Sequence, residues 1–166
     1  MKISVAMAYY NGGMYIEEQM DTILTQLSEQ DEVIVSVDGA SDGSKSLLLK
    51  MAEEDKRIHV IKGPGKGVVK NFENAIRHCS GEIIYLSDQD DIWKPDKVKK
   101  VNEAFLNPKV KAVLHDARIV DECGNPTGAE SLFANRGSRK GILKNLVKNS
   151  YVGCCMAFRR ELIPVI

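Results

Sequence analysis

The chain has 166 residues, 43% of them hydrophobic, and its 23 Lys+Arg balance 23 Asp+Glu to a formal net charge of +0. That is enough for one α/β domain with its own core, and the charge balance excludes the basic excess of a dedicated nucleic-acid binder. Residues 1–8 are too short an apolar stretch for a signal peptide and no run approaches the ~20 apolar residues that span a bilayer, so a soluble, cytoplasmic protein is expected.

Residues 3–8 are apolar and β-compatible, and Asn11-Gly12-Gly13 ends them. Met14, Ile16, Met20, Ile23, Leu24 and Leu27 then recur mostly at helical spacing. Residues 32–37 predict a second buried strand, closed by the turn-rich stretch 38–43, after which Ser44 is placed to cap a helix carrying Leu47, Leu48, Met51 and Ala52. Residues 58–61 predict a third strand, 63–67 a glycine loop, 68–78 a helix, and 82–87 a fourth strand ending in Asp88-Gln89-Asp90-Asp91. Pro95 suits the first turn of the next helix, whose apolar face is Val98, Val101 and Phe105. Residues 110–115 predict a fifth strand, and 119–121 with Cys123-Gly124-Asn125-Pro126 a short strand and turn. Beyond that the pattern changes: a loop over 127–140, a short helix over 141–148, a strand over 151–158, and a further element opening at Glu161. Cys79, Cys123, Cys154 and Cys155 contain no CxxC pair and are expected as free thiols.

Strands and helices alternate, and the strands are continuous apolar runs, as when both sheet faces are covered. The fold class is therefore α/β, a Rossmann-like, mostly parallel sheet with helices on both faces. Ligands of such sheets sit at the carboxyl ends of the strands, where Asn11, Asp38 and the cluster at Asp88 fall. In an extended chain residues two apart face the same way, so Asp88 and Asp90 are expected to project together with Gln89 opposite. Neighbouring carboxylates repel, and a divalent cation with hard oxygen ligands, Mg²⁺ or Mn²⁺, relieves this while leaving coordination positions for phosphates.

In that setting the segment Asp88-Gln89-Asp90-Asp91-Ile92-Trp93 resembles the D-x-D region of family 2 glycosyltransferases, in their bacterial rhamnosyltransferase-like branch. Residues 4–12, 37–44, 67–74 and 153–160 resemble, in order, the family's opening strand with its Tyr-Asn, its Asp-Asp-Gly-Ser-x-Asp-Gly loop, its Gly-x-x-x-Asn segment and its acceptor-side strand. The resemblance implies a GT-A fold and transfer, with inversion, from a UDP- or dTDP-linked sugar to a saccharide or lipid-linked acceptor in cell-surface polysaccharide synthesis. It implies that Tyr10 lies against the base, Asp38 near base or ribose, Asp88 at ribose or metal, and Asp90 on the metal. Asn71 supports the nucleotide pocket; Ala8, Asn11 and Gln89 complete the nucleotide-sugar-binding set, and Lys66 of the glycine loop is placed to touch a phosphate. The chain departs from the family at Val37-Asp38, where an Asp-Asp helps read the base. The carboxylate pair that supplies the catalytic base is expected beyond Ile166, so the alternative expectation is a non-catalytic nucleotide-sugar-binding fragment. On this reading residues 1–121 are the nucleotide-binding half of a single domain, and 122–166 begin an incomplete acceptor-binding half.

Other features carry less. Residues 63–67 lack the Gly-Lys-Ser/Thr ending of a phosphate-binding P-loop. His115-Asp116 is a candidate acid–base dyad but reads better as a polar strand end, and Trp93 reads as packing beside the site. Arg136, Arg139, Lys140, Lys144 and Lys148 interleave with Ile142, Leu143, Leu146 and Val147, as a solvated helix face does or as a peripheral contact with anionic lipid or a lipid-linked acceptor does. A nucleotidyltransferase would want cations in the first strand-to-helix loop, and a phosphoaspartate receiver or phosphatase an Asp after the first strand. Neither is present.

Overall fold

The computed structural model describes residues 1–137 and 152–165. Six strands form one sheet in the order β3-β2-β1-β4-β6-β5, with β1 Ile3–Tyr9, β2 Glu32–Val37, β3 Ile58–Lys62, β4 Ile83–Ser87, β5 Ala112–Leu114 and β6 Met156–Arg159. The four strands β1 to β4 are parallel neighbours, and β6 lies antiparallel to both β4 and β5. The helices are α1 Ile16–Leu24, α2 Ser44–Glu54, α3 Val68–His78, α4 Lys97–Phe105 and α5 Leu132–Arg136. The α/β fold expected of the sequence, helices on both faces included, is thus present.

Period-two alternation explains the two-sided core. Ile3, Val5, Met7 and Tyr9 of β1 face one side, where Ile16, Met20 and Ile23 of α1, Leu48 of α2 and Val98, Val101 and Phe105 of α4 cover them. Ala6, Ile34 and Ile84 face the other, against Ala75 and Cys79. Each such aliphatic side chain contributes roughly 1.5–3 kcal/mol on burial.

The differences from expectation lie outside this core. The fifth strand shrinks to three residues, two of them exposed, because it pairs on one edge only, with β6. The short strand at 119–121 is a single bridge, Val120 to Pro126. A 3₁₀ turn, Gly153–Cys155, precedes β6 within the strand expected over 151–158, and the element expected to open at Glu161 is another, Arg160–Val165, which starts one residue earlier. The loop expected over 127–140 holds α5. Ser44 is the first residue of its helix rather than the cap, which falls on Gly43 at φ 81°. Pro95 precedes the first turn of α4, whose flanking residue is Asp96. The helix expected over 141–148, and with it Arg139, Lys140, Ile142, Leu143, Lys144, Leu146, Val147 and Lys148, lies outside the described residues. Among the described residues no helix is long and apolar enough to cross a membrane.

Candidate active site

From β1 the chain crosses to β2 and β3 on one side, while β4 lies on the other, so β1 and β4 meet at the point where strand order reverses. Their carboxyl ends open there into a cleft of about 610 Å³, lined by Ala8, Tyr9 and Tyr10 after β1, Asp38 after β2, Asp88, Gln89 and Asp90 after β4, and Gly65, Gly67, Val68 and Asn71 of the glycine loop and α3. An open parallel sheet offers its ligand site at this crevice.

The end of β4 is held from beneath. Buried Gln19 of α1 donates through Nε2 to Ser87 Oγ at 2.6 Å and to the Asp88 carbonyl at 3.1 Å. Past Ser87 the backbone turns at Gln89-Asp90 instead of staying extended. The alternation expected of Asp88 and Asp90, with Gln89 opposite, therefore does not operate. Gln89 faces the cleft with its neighbours, and the turn brings Asp91 back beside Asp88, where ligand atoms of Asp88, Asp91 and Cys154 lie within 4.8 Å of one another.

Burial, then the charges of Asp91 and Asp90, pushes the Asp88 carboxyl up to about 6. Asp91 is also raised, chiefly by burial, although Cys154 and the nearby Lys97 ammonium work the other way. Lys97 is itself pushed down to about 8 by burial; it lies 3.8 Å over the Trp93 ring and donates to the Cys154 carbonyl at 3.3 Å. Lys97 thus answers Asp91, whereas Asp88 and exposed Asp90 have no matching cation among the described residues. Their hard oxygens at the cleft wall fit a divalent ion, the deficit of positive charge lying where such an ion would bind.

The remaining expected residues divide. Asp38 lines the cleft, and its Oδ1 accepts a hydrogen bond from the Gly65 amide, which ties the glycine loop to the end of β2. Asn71 is 2% exposed and spans the strand ends, donating to the Ser36 carbonyl at 2.8 Å and the Tyr9 carbonyl at 3.3 Å. Tyr10 is 62% exposed at the cleft edge, with Val68 also exposed on the wall formed by α3. Asn11 is not among the lining residues: at φ 48°, which Asn tolerates, it accepts from Ser41 N at 2.9 Å and so joins the loops after β1 and β2. Lys66 is not among them either, although Gly65 and Gly67 on both sides are. The glycines of this loop answer backbone needs. Gly65 and Gly67 have φ of 66° and 83°, and a Cβ on Gly63 would lie 2.7 Å from Asn71 Oδ1 and 2.8 Å from the Val37 carbonyl.

His115 and Asp116 form no dyad. The His115 Nδ1 lies 3.0 Å from the Asp116 carbonyl, while the Asp116 carboxylate accepts from Ser131 Oγ at 2.5 Å and from the amides of Phe133 and Ala117 at 2.9 Å. Burial opposes these bonds but they prevail, holding Asp116 below the usual carboxylate range as the anchor of the loop leading to α5. Trp93 is buried, its ring 5.6 Å from that of Tyr85. Asp91, Lys97, Cys154 and Val68 were absent from the expected set; Asp91 carried a sequence signal as part of the acidic run, and Val68 and Cys154 lie within segments 67–74 and 153–160 that carry the family resemblance.

The pattern for Glycosyl transferase family 2 matches residues 4–165. The chain belongs to that family. It is 30% identical over 170 residues to an uncharacterized glycosyltransferase of Nostoc sp. (strain PCC 7120), covering 98% of this chain and 52% of the relative. It is 27% identical over 160 residues to a Bacillus subtilis (strain 168) protein named as a glycosyltransferase of teichuronic acid biosynthesis, covering 92% of this chain and 59% of the relative. The chain thus spans little more than half the length of these relatives. The fold matches that of a mannosyltransferase from Pyrobaculum calidifontis, solved in complex with GDP-Man and Mn²⁺, at a TM-score of 0.71 and 22% identity, over 98% of this chain and 46% of that one.

Proposed function

We propose that this family 2 domain binds a nucleoside-diphosphate sugar in the β1/β4 cleft, for transfer with inversion to a saccharide or lipid-linked acceptor in cell-surface polysaccharide synthesis. The observation that carries the proposal is the convergence, at the reversal of strand order, of an exposed aromatic (Tyr10), a base-side carboxylate (Asp38) and an acidic turn with excess negative charge (Asp88, Asp90). Tyr10 stacks on the base, Asp38 reads base or ribose through its second oxygen, and Asp88 and Asp90 hold Mg²⁺ or Mn²⁺. That ion, when bound, neutralises charge on the departing diphosphate. The N-terminus of α3 opens on the same cleft through Gly67 and Val68 and favours anionic groups there. Asn71 serves the pocket indirectly, by fixing the ends of β1 and β2.

On this reading residues 1–121 form the nucleotide half and 122–166 begin the acceptor half, and the likeness to the rhamnosyltransferase branch favours a UDP- or dTDP-linked donor. The mannosyltransferase with GDP-Man and Mn²⁺ supports the donor class and the metal, and the teichuronic acid protein supports polysaccharide synthesis. Calorimetric titration with UDP-, dTDP- and GDP-sugars in Mn²⁺ tests the proposal: saturable, metal-dependent binding is expected, and no heat at millimolar ligand overturns it. Donor hydrolysis and transfer assays then separate a working transferase from a binding fragment.

A further inference from the structure

Both main-chain polar groups of Tyr10 are taken by one side chain. Gln89 Oε1 accepts from Tyr10 N at 2.6 Å, and Gln89 Nε2 donates to Tyr10 O at 2.8 Å. The β1–β4 ladder ends at the pair Met7 and Ser87. The amide therefore continues the contact between these strands beyond their last register pair, as a side-chain substitute for a backbone bridge. The fit is close, since a Cβ on Gly12 would lie 2.6 Å from Gln89 Cδ and 2.7 Å from Nε2. A glycine follows Asn11 because the amide fills the space a side chain would need. Only an amide of this length offers one donor and one acceptor in this arrangement; Asn is a methylene shorter, and ionised Glu has no donor for the Tyr10 carbonyl.

We propose that Gln89 is a positioning residue that couples the two ends of the donor site, the acidic turn facing metal and diphosphate and the Tyr10 ring facing the base. The inference rests on the donor reading above. Tyr10 is 62% exposed, so little packing sets the direction of its ring and the backbone beneath it does. The residue that holds that backbone is the second residue of the acidic turn. A shift of the turn when cation and diphosphate bind is transmitted to Tyr10 through two hydrogen bonds, and closure of Tyr10 on a base steadies the turn. The coupling is reciprocal, as any linkage between sites must be.

The test uses UDP, dTDP and GDP, each titrated with Mn²⁺, and proceeds with whichever the wild-type chain binds. Gln89→Met keeps the length and removes both hydrogen-bonding groups; Tyr10→Ala removes the ring. Each single change is expected to weaken nucleotide binding about tenfold, and the double variant by little more than either one, because Gln89 acts through Tyr10. Losses that multiply to about a hundredfold overturn the coupling. A second readout is inorganic pyrophosphate with Mn²⁺, measured by competition, which has no base to stack. Gln89→Met is expected to lower the ratio of nucleotide to pyrophosphate affinity about tenfold, whereas an equal loss for both ligands assigns Gln89 to the acidic turn alone and refutes the role. Thermal melting of each variant confirms a folded chain. Wild-type protein that binds none of the three nucleotides removes the donor reading itself; wild-type binding with a multiplicative double variant removes only the coupling.

Discussion

Asp88→Asn separates what the cleft costs the fold from what it does for the ligand. Burial and the charges of Asp91 and Asp90 push the wild-type carboxyl up from 3.8 to about 6. Raising the carboxyl from 3.8 to about 6 corresponds to roughly 3 kcal/mol, and because Asp88 is only partly buried a discount to about 2 kcal/mol is appropriate. The sign follows from proton linkage. A raised carboxylate contributes stability that is present below its unfolded value and is lost as pH rises through about 6. The ionised form therefore destabilises the metal-free chain at pH 7, and the neutral amide of Asn removes that burden. In EDTA at pH 7, differential scanning fluorimetry should show Asp88→Asn melting about 4–8 °C above wild type, a gain that falls to a few tenths of a kcal/mol near pH 4. The same variant should lose Mn²⁺-dependent nucleotide binding. A variant no more stable than wild type at pH 7, or equally stabilised at pH 4, refutes the electrostatic account of the site.

Mn²⁺-dependent nucleotide binding by the wild-type chain should weaken about tenfold per unit as pH falls below about 6 and level off above it, because the cation competes with the Asp88 proton; a flat calorimetric profile between pH 5 and 7 argues against Asp88 as a ligand. At the opposite end of the sheet, Glu32 accepts from Ser4 Oγ, Ser80 N and Ser80 Oγ and lies 3.3 Å from the Lys2 ammonium. Burial alone would raise it, but these partners hold it below the usual range, so its contribution is present above the unfolded value and fades as pH falls through the lower folded one. Glu32→Leu strands those donors and should cost about 2–4 kcal/mol in urea denaturation at pH 7, with a smaller loss in acid. Gly63→Ala should cost about 1–3 kcal/mol, since its Cβ would meet Asn71 Oδ1 and the Val37 carbonyl, and should weaken nucleotide binding by displacing the glycine loop; unchanged melting and affinity would show that the loop accommodates the methyl group freely.

Much of this protein is legible in one dimension because its central strands are buried on both faces. Mostly apolar runs at 3–8, 32–37 and 82–87 announce a parallel sheet, and polar residues directly after them announce where a ligand sits. Glycines at 63, 65 and 67 mark a loop on sequence alone, but whether they serve a phosphate or the backbone depends on positive φ and on the nearness of Asn71 and Val37. The periphery is harder to read. Whether 110–115 is a long strand or three residues depends on having a partner along one edge only, which no local pattern records.

By itself the sequence determined the α/β architecture, the order of its strands and helices from β1 to α4, and the placing of Tyr10, Asp38 and Asp88–Asp91 at strand ends, because periodicity and turn chemistry are local properties of the chain. Tertiary structure alone decided which of those acids meet. The backbone turns after Ser87, so Asp91 joins Asp88 and finds Lys97 from α4, while Gln89 swings to the Tyr10 backbone across the sheet. Hydrogen bonds between residues 79 apart have no signature in spacing; they exist only because the sheet sets β1 beside β4.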